Sequence, residues 1–146
     1  MLNLSHVYKL PDFEVVARLP LPPLFLSTVQ AGFPSPADDY IDQELNLHEL
    51  LVSHPAATFF VKAQGHSMTG AGIFPGDLLV VDRSLRASDR SIVIAVLDGE
   101  FLVKRLRKVR GKVYLVSENP EYKPIEVSAG SQFEVWGVVT HFIHSV

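Results

Sequence analysis

Six of the ten prolines fall at positions 11, 20, 22, 23, 34 and 36, within the first quarter of the chain. Each proline removes a backbone donor and holds its predecessor in extended geometry. A helix or an interior strand is therefore hard to build there. The spacing predicts an extended arm over residues 1–40 and a folded domain over 41–146. The arm is also too short and too proline-rich to hold a helix-turn-helix, so sequence-specific DNA binding by this chain is not expected.

Downstream, the pattern changes. Asn46 to Pro55 reads as one short helix over 46–54, with Asn46 as N-cap, Glu49 at the capping-box position and Pro55 as its stop. From Thr58 onward the pattern is strands: Thr58 to Ala63, Asp77 to Asp82, Ser91 to Leu97, Glu100 to Leu106, Lys112 to Val116 and Gln132 to His144. Pro75-Gly76 marks a turn, and Asp98-Gly99 is a strong hairpin signal. The expected fold is mostly β and compact, with one short helix and an extended N-terminal arm.

With 146 residues, the chain fits a single core. Its formal charge of −3 gives no electrostatic reason for tight nucleic-acid binding. There are no cysteines, which rules out disulfides, cysteine catalysis and thiolate metal sites, and agrees with a reducing compartment. No apolar run approaches the ~20 residues of a membrane span. The apolar stretch Leu19 to Phe25 is broken by Pro20, Pro22 and Pro23, unlike a signal peptide. These features place the protein in the cytoplasm, with no membrane partner.

Two polar residues draw chemical interest. Alternation along the strand puts Lys104 on one face with Leu102 and Leu106, opposite Phe101, Val103, Arg105 and Arg107. An ordinary lysine amine titrates near ~10.4. Burial disfavours the ammonium and makes the amine a better base. A lysine that snorkels to solvent or pairs with an acid fits the alternation equally well. Ser67 lies in a turn flanked by Gly65, Gly70 and Gly72. Such a turn exposes a hydroxyl beside backbone N–H groups, as a nucleophile requires, and it also describes an ordinary loop serine.

Other clusters read as structural. His66 adjoins Ser67, so its side chain diverges from the hydroxyl. His141 and His144 fall on opposite strand faces, poor spacing for a shared metal. The six histidines are read as surface or structural, and no metal or other cofactor is expected. Asp77 and Asp82 read as strand-end residues. The basic run Lys104 to Lys112 lacks interleaved aromatics for base stacking, and reads as a solvated strand edge whose charges block edge pairing.

The run Lys62-Ala63-Gln64-Gly65-His66-Ser67-Met68, followed by Gly72-Ile73 and Gly76 to Asp82, resembles the signature of the LexA-type self-cleaving serine peptidases. Gly99 to Leu106, Asn119 to Ile125 and Val135 to Val139 match further family elements. The resemblance runs from about residue 20 to the C-terminus. Asp39-Tyr40-Ile41 and the short arm are similar to the accessory subunits of error-prone DNA polymerases within this family, rather than to its repressors.

The resemblance implies a LexA-like C-terminal peptidase domain. It implies Ser67 as nucleophile, Lys104 as general base, backbone N–H groups of Ser67 and Met68 as the oxyanion hole, and Ala31-Gly32 as the scissile bond. It further implies autocatalytic cleavage in the bacterial SOS response to DNA damage, promoted by RecA filaments on single-stranded DNA. The cleaved form is then a homodimer that serves the catalytic subunit of an error-prone polymerase in translesion synthesis. Three alternatives are a phage- or plasmid-type repressor domain, a type I signal peptidase, and a non-enzymatic β-domain that binds partner peptides. The first is disfavoured by the expected lack of a DNA-binding head, the second by the lack of a membrane anchor.

Overall fold

The computed structural model describes residues 20–25 and 41–146. The chain divides into two compact units at Leu47–His48. In the first, β1 (Pro23–Phe25) pairs antiparallel with β2 (Ile41–Glu44), and Leu45 N donates to Pro22 O at 2.8 Å. This ribbon lies partly inside the segment expected to be a bare arm. Two short extended stretches pair here despite the flanking prolines, because the backbone N–H groups of Leu24 and Phe25 remain.

The helix α1 (Leu47–Leu51) starts at the boundary residue Leu47 and is shorter than expected. Pro55 forces His54 into an extended geometry, φ −129° and ψ 84°, so the helix ends early and a 3-10 turn, Pro55–Ala57, follows. The main sheet has seven strands: β3 (Thr58–Lys62), β4 (Leu78–Asp82), β5 (Ile92–Leu97), β6 (Glu100–Val109), β7 (Lys112–Val116), β8 (Ile125–Glu126) and β9 (Phe133–Ile143). Their spatial order is β3-β4-β9-β5-β6-β7-β8, and every pairing is antiparallel. The mostly-β expectation holds.

The hairpins follow local chemistry. Asp98 and Gly99 both have positive φ, 48° and 84°, which matches the right-handed twist of β5 and β6. Arg110 and Gly111 repeat this at 51° and 77° and turn β6 into β7. That second turn corrects the reading of the basic run. β6 extends to Val109 and lies between β5 and β7, so it is not an edge. Two of its charges form ion pairs, Arg105 with Glu118 and Arg107 with Asp89, as does Lys112 of β7 with Glu126.

β9 passes between the β3–β4 and β5–β6 hairpins. Its pairing slips by one residue between Val80 and Val81, and again between Ile94 and Ala95. The extra residues, Thr140 and Trp136, bend the strand and increase its twist. Gly137 is required beside this bend, since a Cβ there would meet Val81 Cγ1 at 2.5 Å. β5 buries both faces: Val93 and Ala95 join Leu106 and Leu115, while Ile94 joins Met68, Ile73, Leu79 and Val81. This double burial explains the unbroken apolar run of β5. Leu106→Ala removes a side chain that is 1% exposed. The expected loss is about 2–5 kcal/mol of unfolding free energy, read from a urea denaturation curve.

Candidate functional site

Ser67 sits in the loop that joins β3 to β4, residues 63–77. The stem of this loop is closed by Ala63 N to Asp77 O at 2.8 Å and Gly76 N to Ala63 O at 2.9 Å. Within it, Gly65 takes φ +80°, which a side chain would strain, and turns the chain just before Ser67. A 3-10 turn, Thr69–Ala71, begins two residues after Ser67, with Met68 as its N-cap. Met68 O accepts from Ala71 N at 3.0 Å and Ile73 N at 3.3 Å. Met68 and Ile73 are buried in the cluster with Ala63, Leu79, Val81 and Ile94, which pins the turn from below. Ser67 itself is half-buried. Among the described residues, the backbone N–H groups of Ser67 and Met68 donate to no carbonyl.

Lys104 lies mid-way along β6, opposite Val93 of β5. It is 8% exposed, and Leu106 on the same face is buried. The strand alternation thus predicted its placement correctly. It forms no salt bridge among the described residues, and burial pushes its amine below the ordinary value. Its Nζ lies 5.5 Å from the centre of the Tyr122 ring. Met68, next to Ser67, and Val103, next to Lys104, belong to one apolar cluster, Leu102 and Leu106 of β6 belong to the other, and no hydrogen bond joins Ser67 to Lys104 among the described residues. One segment touches both surroundings. Gly70 N donates to Glu118 O at 2.6 Å, Asn119 Nδ2 donates to His66 O at 2.8 Å, and Tyr122 covers Lys104. The bond Ala31-Gly32 lies outside the described residues.

The sequence reading of Asp77 and Asp82 as strand-end residues understated them. Both are 3% exposed. Asp77 Oδ2 accepts from Phe74 N at 2.8 Å, and Oδ1 lies 2.6 Å from His144 Nδ1. Asp82 Oδ1 accepts from Ser84 Oγ at 2.6 Å and Ser84 N at 2.8 Å, while Oδ2 lies 2.6 Å from His54 Nδ1. An ionised carboxylate can only accept, so both imidazoles carry their proton on Nδ1. His54 and His144 are structural, as expected. His66 is exposed and bonds through its backbone carbonyl instead. The close pairing of apolar strand ends with histidines far along the chain left no local signal in the sequence.

Residues 23–140 match the Peptidase S24-like family, and the chain belongs to it. It is 50% identical over 123 residues to Protein ImpA of Salmonella typhimurium, an alignment that covers 84% of this chain and 83% of that one. It is 48% identical over 120 residues to Protein MucA of Escherichia coli, covering 82% of each. Against the LexA repressor of Paracidovorax citrulli the identity is 36% over 130 residues, covering 89% of this chain and 57% of the repressor. Among the described residues, no helix is long and apolar enough to cross a membrane.

The buried aspartates set an acid limit. Hydrogen bonds from Ser84, then His54, hold Asp82 down at about 2, below the ordinary 3.8. The Phe74 amide, then His144, also lowers Asp77. Stability from a depressed carboxylate is fully present above 3.8 and is lost as pH falls through the folded value. Melting temperature is therefore expected to drop as pH falls from 3.8 toward 2. In Asp82→Asn the drop over that window is smaller, from a lower starting point, as followed by circular dichroism.

Proposed function

We propose that this chain is a self-cleaving serine endopeptidase of the UmuD type, with a Ser67–Lys104 dyad that cuts its own Ala31-Gly32 bond. The observation that carries this reading is the position of Lys104. A lysine with no salt-bridge partner among the described residues lies on a buried strand face, and burial lowers its pKa. In a peptidase-family chain, a neutral amine of this kind is the base a serine needs.

In the proposed reaction, neutral Lys104 Nζ takes the proton of Ser67 Oγ as that oxygen attacks the Ala31 carbonyl carbon. The tetrahedral oxyanion is held by the N–H groups of Ser67 and Met68, which have no carbonyl partner among the described residues. The C–N bond breaks, protonated Lys104 returns its proton to the Gly32 amine, and an acyl-enzyme ester remains on Ser67. Water, deprotonated by Lys104, hydrolyses the ester and releases the arm. Gly32 on the leaving side presents no side chain to clash and tolerates unusual backbone angles. Docking of the arm is the step that a co-protease accelerates.

We assign that role to RecA filaments on single-stranded DNA. The product acts as a homodimer with an error-prone polymerase catalytic subunit in translesion synthesis, in the bacterial cytoplasm. The test is the mass of purified protein incubated from neutral to alkaline pH. The active form is the neutral amine, so the rate of conversion to a product starting at Gly32 is expected to rise with pH and then level off. Ser67→Ala and Lys104→Ala are expected to stay intact throughout. Cleavage in either variant, or a rate independent of pH, overturns the reading. A chain that stays intact in every form returns the non-enzymatic β-domain.

A further inference from the structure

We infer that residues 118–122 set the approach of Ser67 to Lys104, and that Asn119 is the positioning residue, acting through the His66 carbonyl. This deepens the peptidase reading and rests on it. The serine turn and β6 belong to different hairpins, and although Val103 of β6 packs against the cluster that holds Met68, apolar contact of this kind does not fix the orientation of a turn. Something has to hold one against the other with sub-ångström tolerance.

Segment 118–122 is built for that task from both ends. On the serine side, Glu118 O takes the Gly70 amide at 2.6 Å. A Cβ at Gly70 would meet that same oxygen at 2.5 Å, so glycine alone permits the approach. Asn119 Nδ2 donates at 2.8 Å to the carbonyl of His66, the residue bonded to Ser67. On the lysine side, Glu118 pairs with Arg105, the neighbour of Lys104 on β6, and the Tyr122 ring covers Nζ. The segment is itself stiff. Tyr122 N bonds Asn119 O at 3.1 Å across a turn with Pro120 at its second position, and Glu121 N bonds Asn119 Oδ1 at 3.0 Å. Asn119 thus uses its carbonyl oxygen to shape the segment and its amide nitrogen to hold the serine turn.

That division allows the two roles to be separated. Asn119→Asp keeps the acceptor for Glu121 N and loses the donor to His66. Asn119→Ala loses both. The experiment follows self-cleavage of the full chain across pH, with melting temperature as the control for folding. Asn119→Asp is expected to melt near the wild type. Its alkaline plateau rate is expected to fall roughly ten- to a hundredfold, the scale of a small misplacement of reacting groups. The plateau matters because a new carboxylate that raised the Lys104 pKa would shift the curve and leave the plateau intact. Gly70→Ala, which pushes Glu118 away, is expected to lose plateau rate as well. A wild-type plateau in Asn119→Asp overturns the inference and leaves the dyad standing. If the wild-type chain never cleaves, the peptidase reading falls. The positioning role is then read from amide exchange, where Asn119→Asp should speed exchange over residues 66–70, and unchanged exchange overturns it.

Discussion

The eleven residues of β9 hydrogen-bond to β4 on one side and to β5 on the other, and this double pairing joins the two halves of the domain. The β3–β4 hairpin carries the serine loop and the β5–β6 hairpin carries the lysine. The β5–β6 hairpin is specified by its own tight turn at Asp98-Gly99, whereas β3 and β4 are joined by the long loop 63–77. The placement of the two hairpins in one sheet depends on a strand from the far end of the chain, so it requires closing long loops before any contact rewards it. The two register slips along β9 bend it enough to serve both partners, and Gly137 leaves room for that bend.

Around this frame, polar groups are buried only where they are satisfied. Asp77 ties the stem of the serine loop to the last residues of the chain through His144, and Asp82 ties β4 to the turn before β3 through His54. Among the described residues, no buried side-chain nitrogen or oxygen lacks a hydrogen-bond partner. Lys104 stands apart from the aspartates. Among the described residues it has no carboxylate partner, the Tyr122 ring lies over its Nζ, and burial favours the uncharged amine. A structural lysine at this depth would be expected to have a carboxylate beside it. Lys104 has none among the described residues, and this is the physical observation behind the proposed role as base.

Much of this was legible in the sequence because it is governed by short-range rules. Alternation placed Lys104 with Leu106 on the buried face, Asp98-Gly99 announced a hairpin, and the glycines around Ser67 announced a turn. The basic run misled because its charges, read alone, resemble an edge. They run along an interior strand, through its turn and into β7, and Arg110-Gly111 supplies a turn whose positive φ values no residue-type rule for Arg foretells. Likewise β8, two residues long, and the β1–β2 ribbon form by pairing rather than by pattern.

The sequence by itself determined most of the strands of the main sheet, the main hairpin and the family. These depend on periodicity, turn chemistry and residue type, all of which are local. Tertiary structure alone decided that β6 is interior, that Asp77 and Asp82 are buried against distant histidines, and that residues 118–122 touch the surroundings of both Ser67 and Lys104. Those outcomes depend on which strands pair across long stretches of chain, and a one-dimensional pattern carries no term for that.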